Sequence, residues 1–275
     1  MVDADVTLTP EGAIANLTQT EDPSLRYYAA WWLGRFRVNR PEAVEALVGA
    51  LEDDSVRDPD GSYPLRRNAA RALGKLSDTR VVPALVNCLS CADYYVREAA
   101  VQALGALGDS RCVSDLIGLL AGGLEAAVAV PGKPHLVQPY NALLEALGML
   151  AGAEASEVVA AVKPFLNHDR PQVQNAAARA MYQLTGDAAY CDLLLSRLQA
   201  DNLQLRRSAL MDLGAVGFLP AAEAIAQTPA ENSLKLIALQ GVLETHLRQA
   251  SEADPSAAAL TAAARKVMDL MDSLL

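Results

Sequence analysis

The sequence predicts an all-α protein, an α-solenoid of about seven stacked helical pairs, and three observations carry the prediction. The apolar share of 52% is supplied by Ala, Leu and Val, with few aromatics and little β-branched alternation, which is a composition of packed helices. A phrase also recurs. Leu25-Arg26 is followed eight residues on by Leu33-Gly34, Leu65-Arg66 by Leu73-Gly74, Val96-Arg97 by Leu104-Gly105 and Leu205-Arg206 by Leu213-Gly214. Ala29, Ala69, Ala100 and Ala209 stand three residues after these arginines. Finally, the column runs on through positions 143, 177, 209 and 238 at intervals near thirty residues, the length of one helix-turn-helix unit.

Each unit reads as a first helix, a short turn and a second apolar helix, as in VREAAVQALGALGDSRCVSDLIGLL. Leu and Ala at i, i+3, i+4 and i+7 mark the buried stripe, with Leu25, Ala29 and Leu33 expected to face the core in the first copy. Gly108-Asp109 and Gly186-Asp187 supply a C-cap followed by a turn. Pro83 and Pro220 stand near the starts of second helices, where a missing N–H costs little. Two copies are weaker, Val173-Gln174 with Ala177 and Leu234-Lys235 with Ala238, and the copy from Asn141 to Leu150 keeps only Leu147-Gly148. A helix pair of this kind cannot bury its apolar face alone, so the units stack, and the small Ala column lets neighbours approach. This is the pattern of HEAT-like repeats.

The solenoid is expected over residues 1–250, with insertions at 53–62 and 121–139. Insertions in solenoids emerge on one face, often the binding face. From Ser251 the SEADPS stretch reads as a linker, and a closing helix follows with Leu260, Val267, Leu270 and Leu274 as its stripe.

With Leu25, Ala29 and Leu33 inward, Tyr27, Trp31 and Arg35 form a row on another face of the first helix. The row continues as Arg67, Arg71 and Lys75, then Glu98 and Gln102, Asn141 and Glu145, Asn175 and Arg179, and Arg207 and Met211. It is aromatic at one end and basic beside it, with Tyr63, Tyr94 and Tyr95 at the starts of neighbouring helices. Such a wall suits a flat conjugated ligand bearing carboxylates, stacked on the rings and held by guanidinium groups. The competing reading is packing alone: Trp32 and Phe36 as end-of-solenoid core, Tyr27 and Trp31 as half-buried caps, and the arginines paired with acidic neighbours.

The net charge of −10 argues against a nucleic-acid partner. The N-terminus has no signal-peptide pattern, and no apolar run is long enough to span a bilayer, so no membrane insertion is expected. Four scattered cysteines fit a reducing cytoplasmic setting better than a disulfide scaffold. No phosphate-loop, dinucleotide, serine-hydrolase or HExxH zinc motif occurs. Cys88 and Cys91 have CxxC spacing without a second pair, so no metal site is expected. Of three histidines, His135 lies in the second insertion beside Lys133 and is the best placed for proton transfer.

Five stretches carry a resemblance over about residues 9 to 245: LRYYAAWWLGRF, YPLRRNAARALGKL, YYVREAAVQALG, VPGKPHLVQP and AARAMYQLTG. Together they resemble the E subunit of the E/F-type phycobilin lyases, nearest to the type serving the phycocyanin α chain. The double-Tyr, double-Trp helix and the GKPHLVQP insertion are its specific parts. The resemblance implies a heterodimer with a HEAT-like F-type subunit, working near the site of phycobilisome assembly. It implies attachment of phycocyanobilin, an open-chain tetrapyrrole with two propionates, to a cysteine of the apo-phycocyanin α subunit through a thioether. The bilin is then a bound substrate, with no prosthetic group. The substrate thiol adds to the ethylidene of ring A, so the lyase needs no nucleophile of its own and works by positioning.

The helix-face reading assigns Tyr27 and Trp31, with Tyr94 and Tyr95, to bilin stacking. It assigns Arg67 and Arg71 to the propionates, and His135 or Glu98 to proton management as the catalytic candidates. Two alternatives remain open at the level of sequence: a non-catalytic HEAT-like adaptor with the aromatics as interface anchors, and a chaperone-like subunit whose partner supplies the catalytic groups.

Overall fold

A computed structural model describes residues 8–150, 155–253 and 261–275. The described residues are helical throughout except for turns, loops and one isolated antiparallel bridge, Ala129 to Leu136. The chain divides into two compact units, residues 1–153 and 154–275. The first contains α1 (Pro10–Thr18), α2 (Pro23–Arg35), α3 (Pro41–Leu51), α4 (Pro64–Leu73), α5 (Val82–Asn87), α6 (Tyr94–Leu107), α7 (Val113–Gly118), α8 (Gly123–Ala126) and α9 (Tyr140–Leu150). The second contains α10 (Ala155–Val162), α11 (Pro171–Thr185), α12 (Ala189–Arg197), α13 (Leu203–Val216), α14 (Ala222–Gln227), α15 (Asn232–Ala253) and α16 (Ala262–Asp272).

Local signals set these bounds. Asp22, Asp93 and Asn202 cap α2, α6 and α13 by accepting from backbone N–H groups of the first turn. Gly108, Gly186 and Gly217 close α6, α11 and α13 at positive φ, where a side chain is disfavoured. In the first unit the repeat's first helices pack side by side in the order α2, α4, α6, α9; in the second, α11 packs on α13 and α13 on α15. The second unit's core gathers Leu194, Leu213, Ile225, Leu239 and Val267, with Leu270 and Leu274 packed against it, so α16 uses the expected stripe. Leu260 lies outside the described residues, and α15 continues through Ser251 to Ala253, into the SEADPS stretch.

The Leu-Gly pair of the repeat has a steric cause. A Cβ on Gly34 would lie 2.6 Å from Ala72 Cα, one on Gly74 would lie 2.7 Å from Ala103 Cα, and one on Gly214 would lie 2.6 Å from Ala238 Cα. These are backbone-to-backbone approaches. In the first unit the glycine of one first helix therefore meets an alanine of the next. The partners Ala72 and Ala103 stand three residues beyond the aligned Ala column, and only Ala238 belongs to that column itself.

The repeat's arginine has a role that the pattern alone did not reveal. Arg26 donates to the Leu17 carbonyl and to Ser55 and Asp53, while Arg66 donates to the carbonyls of Glu52 and Asp53 and to the Asp54 carboxylate. Arg97 reaches the carbonyls of Cys91, Ala92 and Val137, and Arg206 those of Ala200, Asp201 and Pro229. In each copy the guanidinium collects acceptors from the end of the preceding helix. Arg26, Arg97 and Arg206 also bind the loop of the following repeat. Each is a strut, and its five donors suit several acceptors at once.

One expectation for α2 needs correction. Leu25 is 43% exposed, whereas its neighbour Arg26 is buried. Arg26 is drawn in by the Leu17 carbonyl and Asp53.

The Arg26–Asp53 pair gives a pH dependence. Burial pushes the Asp53 carboxyl up, but hydrogen bonds from Ser55 and the Arg26 guanidinium outweigh it and hold the group below its ordinary value of 3.8. A depressed carboxylate adds stability above its unfolded value and loses it as acid protonates the folded form. The melting temperature of the first unit is therefore expected to fall below about pH 4, with a shallower fall in Asp53→Asn. Equal slopes in thermal melts from pH 7 to 3 would remove Asp53 from the acid response.

Candidate functional site

Both insertions of the first unit are fastened to the N-terminal end of α6. The Asp93 carboxylate accepts from Tyr63 N at 2.8 Å, at the end of the first insertion, and from Tyr95 N at 2.8 Å within α6. Arg97, one turn on, donates to the Val137 carbonyl at 2.7 Å and to Gln138 Oε1 at 3.0 Å, at the end of the second insertion. That insertion folds back on itself: Val137 N donates to the Val128 carbonyl and Val130 N to the His135 carbonyl, around a tip at Gly132. Between the two insertions lies an open cleft of about 400 Å³.

The cleft's helix-side wall is aromatic. His135 stacks on Tyr94 with ring centroids 4.0 Å apart and planes 12° apart, and Tyr95 meets both rings edge-on. The Tyr94 hydroxyl donates to Glu98 Oε1 at 3.4 Å. Burial, reinforced by the Glu98 charge, pushes the Tyr94 phenol well up, so it stays protonated at neutral pH. His135 Nδ1 lies 2.8 Å from the Leu136 carbonyl. A carbonyl can only accept, so Nδ1 carries a proton, and in the neutral ring Nε2 keeps its lone pair. The Arg67 guanidinium sits over the Tyr95 ring at 6.0 Å. Its Nε is buried with no hydrogen-bond partner.

Direct contacts thus join Arg67, Tyr95, Tyr94, His135 and Glu98, five of the residues singled out from sequence. Tyr27, Trp31 and Arg71 lie on the adjoining rows. Asn68 donates to the Tyr27 carbonyl at 3.3 Å and Gly34 meets Ala72, so the α2 and α4 rows run side by side. Tyr27 is 39% and Trp31 44% exposed, and Arg71 is exposed. Trp32 is buried, as core, but Phe36 is 60% exposed, its ring 4.6 Å from that of Trp32, so the assignment of Phe36 to the core is corrected. Phe36 follows the last residue of α2, as its C-cap.

The row differs between the two units. In the second, Asn175 is fully buried, Arg179 pairs with Asp212 at 3.4 Å and Arg207 pairs with Glu231, so there the row is not an open wall. In the first unit Arg67, Arg71 and Lys75 have no carboxylate partner among the described residues. Among the described residues, the cation-ring contacts are those of Arg57, Arg66, Arg67 and Arg97, on α4, α6 and the first insertion. The charges most involved in building the cleft, Asp93 and Arg97, were not singled out as site residues. Arg97 looked like repeat consensus, and the carbonyls it gathers come from segments remote in sequence.

The thiols take no part in this cluster. Burial pushes Cys88 and Cys112 up to about 11 and Cys191 up to about 12, so all three are inert at neutral pH. Iodoacetamide is expected to modify the half-buried Cys91 first in the native protein and the other three only in denaturant, as peptide mass mapping would read. Rapid native labelling of Cys88 would contradict its burial. Among the described residues no group of His, Cys, Asp and Glu is arranged to hold a metal ion, and no helix is long and apolar enough to cross a membrane.

The chain matches the family of HEAT repeats over residues 56–128 and 138–214, and the PBS lyase HEAT-like repeat over 25–53. It is 59% identical over 267 residues to the phycocyanobilin lyase subunit alpha of a Synechocystis sp. strain, covering 97% of this chain and 96% of that one. The chain belongs to the family of phycocyanobilin lyase α subunits. The same-named subunit of a Nostoc sp. strain is 56% identical, covering 98% of this chain and 94% of its own. A solved structure described as the complex of CpcE and CpcF of phycocyanin lyase from Nostoc sp. PCC7120 matches with a TM-score of 0.87 and 54% identity, covering 100% of this chain and 98% of that one. This phycocyanobilin lyase α-type chain therefore presents, in its first unit, the stacked-ring and guanidinium cluster described above.

Proposed function

We propose that the chain is the bilin-holding subunit of a phycocyanobilin lyase, acting in the cytoplasm with an F-type partner to attach phycocyanobilin to a cysteine of the apo-phycocyanin α subunit. The observation that carries the reading is Arg67, a cation with no carboxylate partner and a buried, unbonded Nε, set against Tyr95 beside the Tyr94–His135 stack. A buried donor left unpaired is costly, and a ligand carboxylate repays that cost. The names of the relatives and the CpcE–CpcF complex support the substrate and the kind of partner.

In this reading Tyr27 and Trp31, with Tyr94 and Tyr95, stack on the conjugated system, and Arg67 and Arg71 supply cations for the propionates. The acceptor's thiol sulfur bonds to the ethylidene carbon of ring A, and the proton it gives up ends on the ring. His135 Nε2, open in the neutral tautomer, is suited to take and return that proton, with Glu98 holding the Tyr94 hydroxyl in place. The bilin is a substrate, and the chain itself needs no prosthetic group.

The test is an absorption and fluorescence titration of the purified chain with phycocyanobilin, first alone and then with the F-type subunit. A red-shifted, sharpened bilin band is expected. No spectral change in either setting would move the chain to the adaptor class. Binding of the partner or apo-protein without any bilin response would make it a chaperone-like subunit.

A further inference from the structure

The cleft between the two insertions carries more positive charge than its own carboxylates balance. Asp60 accepts from Ser62 N at 3.0 Å, and Asp93 is taken up by the amides of Tyr63 and Tyr95. Arg97 has its donors spent on neutral oxygens. Two cations line the same space without an ion pair among the described residues, Arg57 from the first insertion and Lys133 from the tip of the second, whose charge is felt by the Asp60 carboxylate but not bound by it. Arg57 uses only its Nε internally, on the Gly61 carbonyl at 3.2 Å, and lies 5.2 Å over the Tyr63 ring. Its two terminal nitrogens are free to form a fork on a carboxylate. Across the cleft the wall is the Tyr94–His135 stack.

From this placement we infer that Arg57 and Lys133 form a carboxylate-binding pair that receives one propionate of the bilin, with Tyr94 and His135 against the ring that bears it. The pair is a specificity device: it rewards a bilin with free acid groups. Both insertions must be in place for the pair to exist, which gives a reason for two loops far apart in sequence to meet over one helix end. The inference rests on the bilin-holding reading above.

The experiment compares binding of phycocyanobilin and of its dimethyl ester to the full chain with its F-type partner, for the wild type, Lys133→Gln and the double variant Arg57→Gln/Lys133→Gln. Both side chains are exposed and make no ion pair; Arg57→Gln also gives up the bond to the Gly61 carbonyl, so circular dichroism and melting accompany each variant, and Lys133→Gln, which loses no hydrogen bond, should melt as the wild type does. The wild type is expected to prefer the free acid, and the double variant to lose roughly tenfold of that preference, about what one charge-assisted hydrogen bond is worth. Lys133→Gln alone should lose part of it. An unchanged preference in the double variant would overturn the inference while leaving the bilin-holding reading intact; a wild type that binds acid and ester equally would overturn the inference and take the propionates from Arg67 and Arg71 as well. Absence of binding by either bilin to the wild type would instead sink that reading, and the inference with it.

Discussion

Gly74→Ala is expected to destabilise the first unit by about 2–3 kcal/mol, whereas Gly49→Ala should stabilise it by about 0.5–1 kcal/mol. The added Cβ on Gly74 would stand 2.7 Å from Ala103 Cα and 2.8 Å from its Cβ, and backbone atoms cannot swing aside as a side-chain end can. Helices α4 and α6 would have to separate, and the same helices carry Arg67 and Tyr95, so the cluster should loosen as well. At Gly49, in α3, nothing lies within 4 Å of the new atom, so only the better helix propensity of alanine is felt. Denaturant unfolding of the two variants reads the contrast in sign. Adding Ala103→Gly to Gly74→Ala should recover part of the loss, since the two sites share one contact. Similar effects at positions 74 and 49 would refute the close-approach account of the Leu-Gly repeat.

Arg67→Ala is expected to weaken phycocyanobilin binding by roughly 10- to 100-fold, the range for losing a hydrogen-bonded charge from a half-buried site. Arg67 makes no internal ion pair, so the change removes no salt bridge from the fold. Arg67→Lys should keep the charge and lose the fork, landing between wild type and alanine. Arg207→Ala is the control: it breaks a pair with Glu231 in the second unit and should leave bilin affinity as it is. Equal losses at 67 and 207 would point to nonspecific charge, and no loss at 67 would take the propionate away from this arginine. The readout is the amplitude and midpoint of the red-shifted absorption band.

Much of the architecture was legible because repetition writes the same physics several times over. The Leu-Arg, Ala, Leu-Gly phrase marks the first helices of α2, α4, α6 and α13, and the glycines and cap residues at the ends mark where they stop. The family was legible for a different reason, since the double-Trp helix and the GKPHLVQP insertion are not repeat consensus. The site was legible only in part. Arg67, Tyr94, Tyr95 and His135 were picked from helix face and insertion, and they touch. Leu25 and Phe36 went astray because a period does not record which neighbours cover a side chain: Leu25 and Phe36 are exposed, while Arg26 beside Leu25 turns in to Leu17 and Asp53.

The sequence by itself determined that this chain is a helical-repeat protein, where first helices end at Gly108 and Gly186, and which family it resembles. These follow from periodicity, caps and rare residues, all local properties. Tertiary structure decided which of the similar rows is an open surface. Asn175 and Arg179 occupy the same register as Arg67 and Arg71, yet one pair is buried or neutralised by Asp212 while the other faces no carboxylate. It also decided that two insertions about seventy residues apart meet over the start of α6, through Asp93 and Arg97. The physical reason is the same in both cases: charge pairing and loop anchoring depend on partners distant in sequence, which a periodic pattern does not record.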